Sequence, residues 1–398
     1  MRTFLTKLEV APKNQGLWGI MNFAFLVNGV MVIMLGVLLP YIKVAHDLSY
    51  TQTGFMFSMH QLGTFCAVLI AGVLPYMIGR KPSILLLSAG AVFGLVLIVF
   101  TQNLLLLIVA FGLTGVTRGA LNNTCNVTIV DISGNRTASM NVLHSAFAFG
   151  ALVSPVIVLL WTFATGSIGW MVAALTAAVL VAITWALIAR TKLPALPPKK
   201  EKGGSLSFLR EVKFWIPTIL LFLYIAVETS IIGWFVLYFV DVGTLPRGLA
   251  GLVPTIHWLM MAIGRISIAI AADRIRRKNR ALVIMGLATT FCFVGMLLST
   301  ASAVISVVFL LGIGLSMAGI YPTTVATMKD AASSVALGFT VAIAGLGGIL
   351  MPSIIGVVAD AHGITTGISL VLAGALLMVL LAVFKVISER SISQKTDA

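Results

Sequence analysis

FSMHQLGTFCAVLIAGVLPYMIGRK (57–81) recurs in outline as PTIHWLMMAIGRISIAIAADRIRRK (254–278). A shift of 197 positions lays His60 on His257, Arg80 on Arg277 and Lys81 on Lys278. The same shift lays Gly150 and Pro155 of FGALVSP on Gly347 and Pro352 of LGGILMP. The period is close to half of the 398 residues, and the repeated sequence is strongly apolar. Two related membrane bundles follow, and a carrier built this way holds its cargo where the repeats meet.

Composition sets the solvent. The chain is 59% hydrophobic and 10% charged, with a mean hydropathy of +1.09. That much apolar surface needs a bilayer. A spanning helix takes about 20 apolar residues. Twelve such stretches are expected, near 17–40, 54–77, 83–101, 103–130, 138–163, 168–189, 213–240, 248–272, 280–299, 302–327, 335–360 and 364–387. The expected fold is therefore an all-α membrane protein of twelve transmembrane helices in two pseudo-symmetric six-helix bundles. The bundles cover 1–189 and 213–398, the latter with a short cytoplasmic tail. Between them RTKLPALPPKKEKGGSLSFLR (190–210) combines proline, glycine and charge, so 190–212 reads as a cytoplasmic linker. Other loops are short and leave no room for a soluble catalytic domain, and an enzyme is not expected.

The net charge of +14 is a topology signal. With the N-terminus cytoplasmic, inner segments hold 22 of the 26 Lys and Arg residues, outer loops hold Lys43 and Arg247, and spans hold Arg118 and Arg265. Cytoplasmic loops are enriched in these residues, so both termini are expected inside, with the protein in the plasma (inner) membrane. Nucleic acid is not an expected partner. Cys66, Cys125 and Cys292 all fall in spans and offer neither a disulfide framework nor a metal spacing. No phosphate-binding loop, zinc spacing or hydrolytic arrangement occurs, so no cofactor or metal is expected.

GVLPYMIGRK (72–81) resembles the loop between the second and third helices of the major facilitator superfamily, whose usual form is Gly-x-Leu-x-Asp-x-x-Gly-Arg-Lys. Tyr76 stands where the acid belongs, whereas the second copy, ADRIRRK, keeps it as Asp273. The resemblance implies that Arg80, Lys81, Asp273 and Arg277 gate the cytoplasmic face, with the charge lock in the second half. Within the superfamily the chain looks closest to the fucose-permease-like sugar transporters. That likeness rests on GLTGVTRGALNNTCNVTIVDISGNRTASMNVLHSAFAFGALVSPV (112–156), YIAVETSIIGWFVLYFV (224–240), HWLMMAIGR (257–265), GIGLSMAGIYPTT (312–324) and GLGGILMPSIIGVVAD (345–360). The fucose-permease pattern places an acid in the fourth helix where Asn122 stands, which puts proton coupling by that helix in doubt. The family implies that the first, fourth, seventh and tenth helices line the cavity.

On the fourth span Gly115, Arg118, Gly119, Asn122 and Asn126 share one face. An arginine at mid-membrane costs at least ~2.5 kcal/mol, which makes Arg118 a functional candidate. The asparagines serve either as ligands or as helix–helix contacts. On the seventh span Glu228 is the one acid near the middle of any span, with Tyr224 one turn before it. A carboxylate in low dielectric takes up a proton readily, so Glu228 is the candidate proton-coupling group and Arg118 its candidate partner. Histidine both donates and accepts hydrogen bonds, so His60 and His257 either border the transport path or pack. Arg265, after Gly264, either binds substrate or stabilises the inner gate. Asn28 and Tyr321 offer further hydrogen bonds. The expected partners are a small-molecule substrate, a proton and the lipid bilayer, acting on a monomer. Sugar uptake is what the resemblance implies. An organic anion held by Arg118, or an amphipathic compound exported past the many Met and Phe residues, is the alternative cargo. A membrane sensor is the non-transport alternative.

Overall fold

The structure, a computed structural model, describes residues 8–195, 207–270, 277–328 and 334–396. Eleven stretches among these residues are long and apolar enough to cross a membrane. One of them, Ala138–Arg190, is two helices parted at Gly166, whose φ of 64° only glycine adopts easily. The spans are α1 (Gln15–Ala45), α2 (Tyr50–Ile78), α3 (Arg80–Phe100), α4 (Leu104–Ile132), α5 (Arg136–Thr165) and α6 (Gly169–Arg190). Then come α7 (Val212–Asp241), α8 (Val253–Ile270), α9 (Lys278–Leu298), α10 (Ala303–Met328), α11 (Ser334–His362) and α12 (Ile364–Thr396). Most of these bounds lie within a few residues of those expected from hydropathy. In the eighth span the expected start becomes a separate turn, Arg247–Ala250, followed by the helix from Val253. Large apolar side chains such as Phe93, Leu160, Phe163, Phe291 and Leu298 lie on the outside. The chain is a multi-pass integral membrane protein, and these residues form its lipid-facing surface.

The fold divides into two compact units, Met1–Leu48 with Phe55–Lys200 and Ser49–Gly54 with Glu201–Ala398. In the first, α1 is almost wholly buried and packs chiefly on α5. In the second, α7 packs chiefly on α11. Both pairs cross at a repeated glycine. A Cβ on Gly150 would strike the Leu26 carbonyl oxygen, and a Cβ on Gly347 would strike that of Phe222. A second crossing repeats too. Gly115 of α4 leaves no room for a side chain against the His60 carbonyl of α2, and Gly314 of α10 approaches the His257 carbonyl of α8 in the same way. Lipid supplies no hydrophobic force between helices, so close backbone approach at small residues holds them together.

Two spans are interrupted. α3 consists of Arg80–Ser88 and Gly90–Phe100. Thr117 of α4 serves the break: its Oγ1 accepts from the Ala91 amide at 2.9 Å and donates to the Ser88 carbonyl at 3.2 Å. Such hydroxyls replace ladder bonds that water cannot supply inside a bilayer. α10 consists of Ala303–Met317 and Ile320–Met328, and Pro322 accounts for the interruption. Proline has no N–H for the carbonyl four residues back and its ring presses on that carbonyl. That residue is Ala318, where the first segment ends.

Candidate functional site

In the first unit a polar stripe runs along α4 through Thr114, Arg118, Asn122 and Asn126, spaced one turn apart. Arg118 is partly buried and donates through Nη1 to Gln61 Oε1 at 2.8 Å. The same nitrogen lies 3.4 Å from His60 Nε2. His60 is fully buried, and its Nδ1 lies 2.9 Å from Thr114 Oγ1. Thr114 in turn donates to the Phe111 carbonyl at 2.7 Å. One turn further, Asn126 Nδ2 donates to the Asn122 carbonyl at 2.6 Å and to its Oδ1 at 3.1 Å. Asn122 remains exposed. On α1 Asn28 is buried, and its Oδ1 has no hydrogen-bond partner among the described residues.

The second unit has its own cluster. Tyr224 of α7 is buried and donates its hydroxyl to Glu228 Oε1 at 2.9 Å. Tyr321 of α10 lies with its ring centroid 5.7 Å from that of Tyr224. From α8, Arg265 comes within interacting distance of Tyr224, and its guanidinium carbon sits 6.0 Å from the centre of the Trp258 ring. Arg265 thus joins the Tyr224–Glu228 pair. His257 is fully buried, and neither ring nitrogen has a hydrogen-bond partner among the described residues.

The residues of the loop motif and its second copy separate. Arg80 donates from Nη2 to Asp131 Oδ2 at 2.7 Å and from Nη1 to the Pro194 carbonyl at 3.3 Å. Its side chain is 7% exposed, so the pair is nearly desolvated. The first half therefore has a charge pair, with Asp131 at the end of α4 supplying the acid that Tyr76 does not. The lock expected in the second half involves Asp273 and is separate from this pair. Lys81 is partly exposed, and Arg277 stands exposed as the N-cap residue of α9. Asp273 lies outside the described residues.

The sequence did not single out Gln61, Thr114, Asp131 or Trp258. Gln61 and Trp258 each follow a repeated histidine, which marks their positions in the sequence, whereas Thr114 gains its meaning only where α2 and α4 meet.

The family model of the Major Facilitator Superfamily matches residues 21–334. The chain belongs to the major facilitator superfamily. Among curated proteins it is similar to "Membrane protein MosC" of Rhizobium meliloti, 25% identical over 373 residues covering 91% of this chain and 88% of that one. Solved structures of the same fold include a mutant of the nucleoside transporter NupG, with a TM-score of 0.76, 13% identity, and 92% and 98% of the two chains covered. Another is a bacterial homolog of the human lysosomal transporter Spinster, inward-facing and unoccupied, with a TM-score of 0.73, 11% identity, and coverage of 94% and 96%. In this chain Arg118 lies on α4, Glu228 on α7 and Arg265 on α8.

Proposed function

We propose that the protein is a secondary active transporter working by alternating access, with proton-coupled uptake of a small polar solute such as a sugar. The observation that carries this reading is the partly buried Glu228, hydrogen-bonded to Tyr224 and flanked by Arg265 and Tyr321. An intramembrane acid with a neutral hydrogen-bonding partner can take up and release a proton without leaving a lone charge in lipid. Glu228 is the coupling group. Asn122, Asn126, Asn28, Tyr321 and Arg118 offer donors and acceptors to the solute, and Tyr224 couples that face to Glu228. Arg80, Lys81, Asp273 and Arg277 control the cytoplasmic gate. The 190–212 segment is a cytoplasmic linker between the six-helix halves, both termini are cytoplasmic, and the protein acts as a monomer in the inner membrane. The fucose-permease-like sequence stretches and the transporters of the same fold support the solute class.

A second reading has its own observation. Arg118 places a permanent positive charge within the membrane on the polar stripe of α4, one turn before the exposed Asn122. That favours an organic anion as cargo, with Glu228 unchanged in role. A thermal-shift screen of the purified protein against neutral sugars, carboxylates and amphipathic drugs decides between the readings. A ligand at a hundredfold excess over its Kd stabilises by about 2.7 kcal/mol. Stabilisation by sugars supports the first reading, by carboxylates alone the second, and by drugs alone refutes both.

A further inference from the structure

His60 and His257 are equivalent in the repeat, and each offers its carbonyl to a glycine at a helix crossing. Backbone packing is therefore common to both. Their rings differ completely. His257 makes no ring hydrogen bond among the described residues, whereas His60 has a partner at each nitrogen.

The surroundings explain the divergence. The glycines at the two crossings are Gly115 and Gly314. The residues that stand to Gly314 as Thr114 and Arg118 stand to Gly115 are Ile313 and Met317. Neither carries a hydroxyl or a cation, and the arginine near His257, Arg265, comes instead from its own helix, α8.

Donor and acceptor identities then fix the proton on His60. A guanidinium can only donate, so Nε2, facing Arg118 Nη1, must accept. A neutral imidazole carries one N–H, which leaves the proton on Nδ1. There it has an acceptor, since Thr114 Oγ1 directs its own hydrogen to the Phe111 carbonyl. The chain runs in one direction, from Arg118 to His60 to Thr114 to the backbone. A proton on Nε2 would set donor against donor.

We infer that His60 is a positioning residue for Arg118, held neutral as the Nδ1–H tautomer by Thr114, and takes no part in proton transfer or solute contact. The inference rests on the functional importance of Arg118 but not on the identity of the cargo. It assigns Thr114 a role one step removed, because Thr114 orients the acceptor that orients the guanidinium.

The test needs no cargo. Protein carrying 15N-labelled histidine and arginine is examined by NMR in lipid nanodiscs between pH 5 and 8, with signals assigned through His60→Asn and Arg118→Lys. The expected result is a His60 ring protonated at Nδ1, bare at Nε2 and unchanged across that range, beside an Arg118 guanidinium with slowed rotation. Thr114→Val is expected to abolish the slowed Arg118 signals, as is His60→Asn, while Thr114→Ser restores them. A proton on Nε2, titration of His60 within the range, or unaltered Arg118 signals in Thr114→Val would overturn the inference. Should Thr114→Val not fold, the wild-type tautomer and His60→Asn still decide it. A failed transport assay would leave this result standing, so the two proposals fail separately.

Discussion

At the scale of single residues, the informative ones are charges that the bilayer penalises. Arg118 and Glu228 stood out in the sequence because a mid-span charge is costly. Tyr224 followed from its position one turn before Glu228, and the structure joins them at 2.9 Å. Thr114 and Gln61 did not stand out, because threonine and glutamine are unremarkable in membrane helices. Their meaning comes from α2 and α4 meeting at Gly115, which is tertiary information. Asp131 was hidden likewise: it lies 51 positions from Arg80, outside the loop motif that drew attention to the arginine. Removing it leaves Arg80 nearly buried without its counter-charge, at 7% exposure. The loss falls between those of surface and buried pairs, since the Asp131 side chain is itself 29% exposed. Asp131→Asn is expected to cost about 1–3 kcal/mol, read as a lower melting temperature in detergent. An unchanged melting temperature would show that Arg80 finds an equal partner elsewhere.

At the scale of helices, the repeat proves to be a repeat of crossings. Gly150 and Gly347 aligned in sequence, and each brings its helix against a carbonyl of its neighbour. A side chain there forces the helices apart, and overpacking costs roughly 1–3 kcal/mol. Gly150→Leu and Gly347→Leu are both expected to lower the melting temperature, whereas Gly338→Ala, with nothing within 4 Å of its added carbon, is not. Equal melting of all three would contradict the crossing as the reason for the glycines. Helix ends were less legible. The first turn of α2 carries a capping box, in which the Ser49 amide donates to Gln52 Oε1 at 2.9 Å and the Gln52 amide to Ser49 Oγ at 3.2 Å. Asp360 of α11 accepts the remaining two amides, Tyr50 and Thr51, each at 2.8 Å. A carboxylate 310 positions away cannot be inferred as a cap from local sequence. Asp360→Ala is expected to lower stability by about 1 kcal/mol, the usual loss of a cap. Asp360→Asn, which keeps one acceptor oxygen, is expected to lose less. The reverse order in thermal melts would remove the cap from the account.

At the scale of the whole molecule, hydropathy and the 197-residue period were enough for twelve helices, and the resemblance of GVLPYMIGRK (72–81) to a family loop motif added the superfamily. They worked because a bilayer admits few folds and every span must satisfy its own backbone. The functional asymmetry was harder to read. Each unit carries an arginine beside the residue that follows its repeated histidine, Arg118 with Gln61 and Arg265 with Trp258, yet the two arginines come from α4 and α8. Glu228, the one mid-span acid among the described residues, belongs to the second unit. Coupling by Glu228 is the central claim, and one comparison in proteoliposomes tests it most directly. With the solute identified by thermal shift, Glu228→Gln is expected to keep solute exchange at near wild-type rates and to lose accumulation driven by a proton gradient. Gradient-driven accumulation that survives in Glu228→Gln would contradict it.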